Sequence, residues 1–305
     1  MIRIFGTGLA ALLGLAFGSF LNVCLSRWPE GESVVEPRSH CRNCGRTLAW
    51  WENIPVASWL ALRGHCRTCP TSISWRYPLV ELVIGSLWAL VVWQQLSRVS
   101  AALSTTPEAF SFSAPFIFQF LSTIAGGMIL TWLLVALAAL DAEHLWLPNW
   151  LTWPGIFAGI SLNLLDGGWR IAHSVEPETI GLRGPLWVAA LYLIGAAAAA
   201  SLVLIIRWTY RLVRRREGIG LGDAKLMALL GAWLGLSGAL LSFVIGVMLG
   251  AIFALIVLVL PAGRRGSETW LGTRLPLGTF LCTGGIISAL WGQRIIAAYM
   301  HWAGF

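Results

Sequence analysis

Long apolar runs separated by short polar stretches dominate this chain. Runs of roughly 20 residues recur along it, each long enough as a helix to cross a bilayer core of about 30 Å. The pattern predicts eight spans, near 4–24, 78–97, 117–140, 148–165, 186–206, 222–236, 239–260 and 277–297. The sixth is short and interrupted by glycine, so it reads as a partial or tilted span. The expected fold class is an all-α polytopic membrane protein with about eight transmembrane helices. One sizeable polar region breaks the pattern, between the first two spans. The chain therefore divides into a first transmembrane helix at 1–24, a small domain at 25–77 and a helical membrane domain at 78–305. Segments 98–116 and 166–185, rich in Ser, Pro and Gly, read as connectors on the opposite side of the membrane.

Composition sharpens this reading. Hydrophobic residues make up 57% of the 305 positions and charged residues only 11%, against about 25% in a soluble domain. The charged residues are too few to cover a water-facing surface. A net charge of +7 raises the question of nucleic acid, but the basic residues sort by topology instead. Sixteen fall on the side that carries 25–77, including Arg211, Arg216, Lys225, Arg264, Arg265 and Arg274, and five on the other, among them Arg3, Arg98 and Arg183. Basic residues mark the cytoplasmic side, so the 25–77 domain is expected in the cytoplasm and the N-terminus outside. No nucleic acid partner is needed to explain the charge. The first segment lacks a small-residue cleavage site and carries its positive charge after the apolar run, which suits an uncleaved anchor better than a signal peptide. Trp favours bilayer interfaces, and the 18 Trp residues fit span ends.

About 50 residues are too few to build a strong core unaided. The 25–77 segment contains Cys41-Arg-Asn-Cys44 and Cys66-Arg-Thr-Cys69, two CxxC pairs with 21 residues between them. Each pair offers two thiolates from one tight turn, and two such turns complete a tetrahedral Zn–S4 site. Disulfides are the competing reading, and a reducing cytoplasm argues against them. Four Cys ligands leave no open position for water or substrate, so the expected role of Cys41, Cys44, Cys66 and Cys69 is structural, in a zinc-ribbon-like domain. Cys24 and Cys282 lie in apolar spans and read as packing residues.

Only three Asp occur in the chain: Asp141, Asp166 and Asp223. Asp166 falls in Leu-Leu-Asp-Gly-Gly-Trp, which reads as an external turn. Asp141 ends the third span, where a helix C-terminus disfavours negative charge. Asp223 follows Gly220-Leu-Gly222 and opens the sixth span; alone it reads equally well as a helix N-cap. Together they stand out. Both sit at the cytoplasmic end of apolar spans, where packing can unite them across 82 positions of sequence. Ionisable groups at membrane depth are costly and point to function. Two adjacent carboxylates do not both ionise easily, so one keeps a proton. The ionised one can take a proton from water while its partner polarises a carbonyl, which is aspartic protease chemistry. Lys225 reads as a phosphate or backbone contact, and Glu143 and His144 as solvated loop residues. HExxH and GxSxG motifs are absent from the sequence. Gly218-Ile-Gly-Leu-Gly-Asp223 lacks the strand and spacing of a nucleotide loop.

These residues resemble the type IV prepilin peptidase family nearly end to end. Gly18-Ser-Phe-Leu-Asn-Val23 with Arg27-Trp-Pro29 is similar to its first-span signature, and Ile54 to Leu60, then Leu62 to Cys66, lie between the Cys pairs as in the family. Arg76-Tyr-Pro-Leu-Val-Glu81 opens the second span. Gly220-Leu-Gly-Asp-Ala-Lys225 resembles the GxGD motif, and Leu275-Pro-Leu-Gly-Thr-Phe280 a late Pro-Phe-Gly-like segment. The resemblance implies that Asp141 and Asp223 are catalytic and that type IV prepilins or type II secretion pseudopilins are cut at the cytoplasmic membrane face, after a glycine closing a short basic leader. It also implies N-methylation of the new terminus with S-adenosylmethionine. One departure is Leu147-Pro-Asn149, where the family usually has Ile-Pro-Asp; Asn keeps the shape, loses a charge and is expected to bear on substrate preference. The rival from another class is a proton- or ion-coupled transporter using the same carboxylates, although a carrier usually places its site at the midplane. A non-catalytic scaffold built around the zinc loop would not require both Asp.

Overall fold

The computed structural model describes residues 1–105, 114–172, 185–215, 220–259 and 276–304, and their regular structure is helical apart from isolated bridges. In chain order the helices are α1 (Ile2–Arg27), α2 (Ala57–Ala61), α3 (Arg76–Thr105), α4 (Ala114–His144), α5 (Asn149–Ala172), α6 (Pro185–Arg214), α7 (Leu221–Val259) and α8 (Leu277–Trp302). Among the described residues, six helices are long and apolar enough to cross a membrane, namely α1, α3, α4, α6, α7 and α8. Helix α5 corresponds to the fourth expected span and runs on to Ala172, through the stretch expected to be a turn at Asp166. Of the expected topology markers, Arg183, Arg216, Arg264, Arg265 and Arg274 lie outside the described residues, as do Gly218 and Leu275 of the two motifs.

The chain forms two compact units, Met1–Ala136 and Leu137–Phe305. In the first, α1 and α3 pack with almost no side-chain layer between them. A Cβ on Gly14 would stand 2.7 Å from Gly85 Cα, and one on Gly18 would stand 2.6 Å from Glu81 Cα. Such small-residue contacts let helix backbones approach where lipid offers no hydrophobic drive. Polar groups complete the seam. Asn22 Nδ2 donates to the Tyr77 carbonyl at 2.9 Å, and buried Glu81 accepts the Val56 N–H at 2.7 Å, tying the 25–77 loop to α3.

In the second unit, α7 is two helices rather than one. Gly235 (φ 70°, ψ 179°) breaks the helical path in a conformation open essentially only to glycine. Contacts on either side show that the chain reverses there. The first arm ascends with α5, as Gly222 faces Leu147, Trp233 Nε1 donates to the Gly155 carbonyl, and Asn163 reaches Ala232. The second arm descends along α8, with Gly238 at Ser288, Ser242 at Gly284 and Gly246 at Leu281. These arms match the sixth and seventh expected spans, which together with α1, α3, α4, α5, α6 and α8 give eight helical segments.

The first arm's 14 residues, Leu221 to Leu234, rise only about 21 Å at 1.5 Å per residue. The reversal therefore falls inside the bilayer, where backbone polar groups need partners. Asn163 Nδ2 supplies them, donating to the Ala232 and Trp233 carbonyls at 3.1 and 3.3 Å, while the hydroxyls of Ser242 and Ser288 both reach the Gly238 carbonyl.

Candidate active site and four-thiol cluster

Asp141 sits in the last turn of α4, with an exposure of only 6%. That helix ends where Leu145 adopts φ 51° and its N–H closes onto the Asp141 carbonyl at 2.9 Å. A left-handed cap is ordinarily glycine's place, so a leucine there marks local strain beside a functional group. Asp223, 8% exposed, lies in the first turn of α7 as its third residue. It is therefore not the N-cap residue. Its Oδ2 instead reaches back to accept the Gly220 N–H at 3.1 Å, in the manner of the returning arm of a capping box. The two carboxylates lie close enough for the charge of one to act directly on the other. Packing thus brings together the two residues that the sequence singled out.

Helix α8 completes this end of the unit. Asp141 Oδ2 accepts the Thr279 N–H at 2.7 Å and approaches the Thr279 hydroxyl at 3.2 Å. That hydroxyl also lies 3.0 Å from the Ala138 carbonyl, and the Gly278 N–H is directed at the same carboxylate. Gly278 has to be small, since a Cβ there would stand 2.8 Å from Asp141 Oδ2. Sequence reasoning quoted this segment only as part of a resemblance and did not single out Thr279; the available signal was Pro-Leu-Gly-Thr at the mouth of the last span. Buried Cys282, one turn deeper, lies within electrostatic reach of both carboxylates.

Lys225 points elsewhere. Its Nζ donates to Asn149 Oδ1 at 2.5 Å, joining the starts of α7 and α5. It was expected to meet a phosphate or the backbone, and it meets the residue at which the chain departs from the family pattern. Glu143 and His144 belong to the final turn of α4 rather than a loop, with His144 Nε2 3.8 Å from Glu143 Oε2 and both partly solvated.

In the first unit, the Sγ atoms of Cys41, Cys44, Cys66 and Cys69 all lie within 4.8 Å of one another, with Cys41 and Cys69 at 3.7 Å. Tetrahedral ligands at 2.3 Å stand about 3.8 Å apart, so the cluster fits a metal ion of zinc's size. The two knuckles repeat one design. His40-Cys-Arg-Asn-Cys44 and His65-Cys-Arg-Thr-Cys69 are each closed by an isolated antiparallel bridge, His40 to Thr47 and His65 to Ser72. Two of the four thiols are favoured as thiolates, while Cys41 is shifted upward. The Thr68 N–H and hydroxyl and the Cys69 N–H push the Cys66 thiol down to about 5, and the Thr71 hydroxyl and N–H lower that of Cys69. Arg46 braces the knuckles with a two-pronged ion pair to Glu52 at 2.6 and 3.0 Å, while its Nε donates to Thr68 Oγ1 at 3.1 Å. That pairing holds the buried Glu52 carboxyl below the usual range.

Fold and site define a polytopic helical membrane protein with two buried aspartates within electrostatic reach of each other in its second unit and a four-thiol cluster in its first. Comparison with known proteins places it further. Residues 12–95 match the bacterial peptidase A24 N-terminal domain, and residues 128–255 match the type IV leader peptidase family. The chain is 33% identical over 318 residues to a prepilin leader peptidase/N-methyltransferase of Stutzerimonas stutzeri, covering 96% of this chain and 93% of that protein. The protein of the same name in Pseudomonas aeruginosa is 33% identical over 317 residues, with the same coverage. That of Myxococcus xanthus is 36% identical over 263 residues, covering 85% of this chain and 64% of the relative. No solved structure gives a significant match. The chain belongs to the type IV leader peptidase family.

Proposed function

We propose that this protein is a membrane aspartic endopeptidase that removes the leader peptide from type IV prepilins or type II secretion pseudopilins and then N-methylates the new terminus. The observation that carries the reading is the approach of Asp141 and Asp223, both buried, from α4 and the short first arm of α7. A pair sharing one proton takes a proton from water with its ionised member and polarises the scissile carbonyl with the other. No metal or nucleophilic side chain enters that chemistry. Relatives aligned along nearly the whole chain carry the peptidase and methyltransferase name, and S-adenosylmethionine would supply the methyl group.

In this reading the protein lies in the bacterial inner membrane, as its relatives suggest, and the distribution of basic residues supports an N-terminus outside. Cleavage then occurs at the cytoplasmic face, with lipid and the pilin precursors as partners. The division into a first helix at 1–24, a cytoplasmic domain at 25–77 and a peptidase domain at 78–305 belongs to the same reading. Cys41, Cys44, Cys66 and Cys69 hold a zinc ion that stabilises the 25–77 domain and takes no part in the cut, because four thiolates fill its tetrahedral shell.

Co-expression with a pilin precursor tests the proposal. Wild type shortens the precursor, and the mass of the new N-terminus shows one added methyl group. Asp141→Asn and Asp223→Asn, each folded in the membrane, leave the precursor uncut. Normal processing by either variant refutes the assignment of the pair.

A further inference from the structure

The two aspartates are held by unequal sets of donors. Asp141 Oδ2 receives the Thr279 N–H at 2.7 Å and has the Thr279 hydroxyl at 3.2 Å, while the Gly278 N–H points at the same group. These donors belong to the first turn of α8, a helix of 26 residues, whose N–H groups have no partner within the helix. Asp223 accepts the Gly220 N–H at the longer distance of 3.1 Å. The single proton of the Thr279 hydroxyl has two candidate acceptors, Asp141 Oδ2 and the Ala138 carbonyl at 3.0 Å. The hydroxyl lies within reach of both, and its bond to Asp141 Oδ2 strengthens if that group carries the charge, because charge-assisted bonds are about twice as strong.

We infer that the N-terminus of α8, through Thr279, makes Asp141 the charged member of the pair and leaves the shared proton on Asp223. This rests on the proposed dyad and assigns its roles. Asp141 is the base and Asp223 the acid, with Thr279 a positioning residue. Oδ1 of Asp141, which carries none of the Thr279 bonds, takes a proton from water as the water oxygen bonds to the scissile carbonyl carbon. The Asp223 proton passes to the carbonyl oxygen, giving a neutral tetrahedral diol. Asp141 then returns its proton to the amide nitrogen as the C–N bond breaks, and a diol hydroxyl proton goes back to Asp223. One water is consumed, an acid and an amine are released, and the pair returns to its starting state.

The test uses the full-length protein in proteoliposomes with a pilin precursor. Thr279→Val removes the hydroxyl at nearly constant volume, and Thr279→Ser retains it. Losing this donor lowers kcat by roughly 10-fold below the acid limb, where the ionised fraction of Asp141 limits the rate, and leaves KM near wild type. Asp141 must be ionised to act, and losing a donor to its charged form makes it easier to protonate. The acid limb of the pH–rate profile therefore moves to higher pH, by about one unit. Titratable groups facing Asp141 are Asp223 on α7 and Cys282 on α8, with Glu143 and His144 beside it in the last turn of α4; all are unchanged in these variants. Thr279→Ser restores both rate and profile. Thr279→Ala repeats the measurement should valine disturb packing.

A hydroxyl-free variant with wild-type kcat and an unmoved acid limb, alongside inactive Asp141→Asn and Asp223→Asn, overturns the assignment and leaves the dyad standing. Cleavage by either Asn variant instead removes the dyad itself.

Discussion

Gly278→Ala tests whether a close contact sets the position of Asp141. A Cβ at this position would stand 2.8 Å from Asp141 Oδ2, 2.9 Å from its Cγ and 3.2 Å from Oδ1. Carbon and oxygen pack no closer than about 3.3 Å even in weak hydrogen bonds, so the carboxylate must retreat by roughly half an ångström. That displacement stretches the 2.7 Å bond from the Thr279 N–H and changes the reach from Asp141 to Asp223. A misplacement of about 1 Å costs on the order of 100-fold in rate, so half of that predicts roughly a 10-fold loss of kcat. Crowding the buried carboxylate costs about 1–3 kcal/mol, offset in part by the better helix propensity of alanine, worth at most about 1 kcal/mol. The assay is precursor cleavage in proteoliposomes, with thermal unfolding followed on the same sample. Activity should fall by more than the modest drop in the unfolding midpoint accounts for, with the protein still folded at the assay temperature. Wild-type kcat in Gly278→Ala would refute the claim that this close contact sets the position of Asp141.

Further measurements probe the remaining parts. Gly235→Ala forces an L residue into φ 70° and ψ 179° and should lower stability by about 1–3 kcal/mol, read as a lower unfolding midpoint in detergent. Purified protein should carry one zinc per chain by elemental analysis, and Cys66→Ser should lose it. Zinc should be held at neutral pH and released on acidification, as protons compete with the metal for the thiolates. Asn149→Asp turns the 2.5 Å Lys225 bond into an ion pair; it should keep cleavage and change stability by less than about 1 kcal/mol. Lys225→Met, which leaves Asn149 without its donor, should lower kcat/KM further than Asn149→Asp does.

What the sequence made legible follows from how rare each signal is in an apolar chain. With three Asp among 305 residues, two at span ends stand out, because membrane depth penalises an idle charge. The cysteines were legible by spacing, and the thiol cluster follows that spacing directly. Thr279, Gly278 and Asn163 carried no comparable mark. Threonine and glycine are ordinary members of membrane helices, and Gly278 is one of 33 glycines. What distinguishes it is a contact made across 137 positions of sequence, which no local pattern reports. The short sixth span was visible as an interruption, but its cause was not. Gly235 breaks the helix, and its conformation is tolerable inside a bilayer only because Asn163 and the serines take up the nearby carbonyls.

That turn bears on the chemistry at the other end of the arm. A helix of 14 residues cannot reach both faces of the bilayer, so its depth is not fixed by matching the hydrocarbon core. It must be fixed by contacts. At the top, Asn163 grips the Ala232 and Trp233 carbonyls, and the Trp233 indole donates to Gly155 at 2.8 Å. At the bottom, Gly222 lies against Leu147 and Lys225 is bonded to Asn149. Every one of these partners belongs to α5 or to the short connection that leads from Asp141 into it. The level of Asp223 is therefore set by the helix whose start follows Asp141 by eight residues together with α6, against which the arm packs so closely that a Cβ on Gly231 would stand 2.6 Å from the Gly195 carbonyl oxygen.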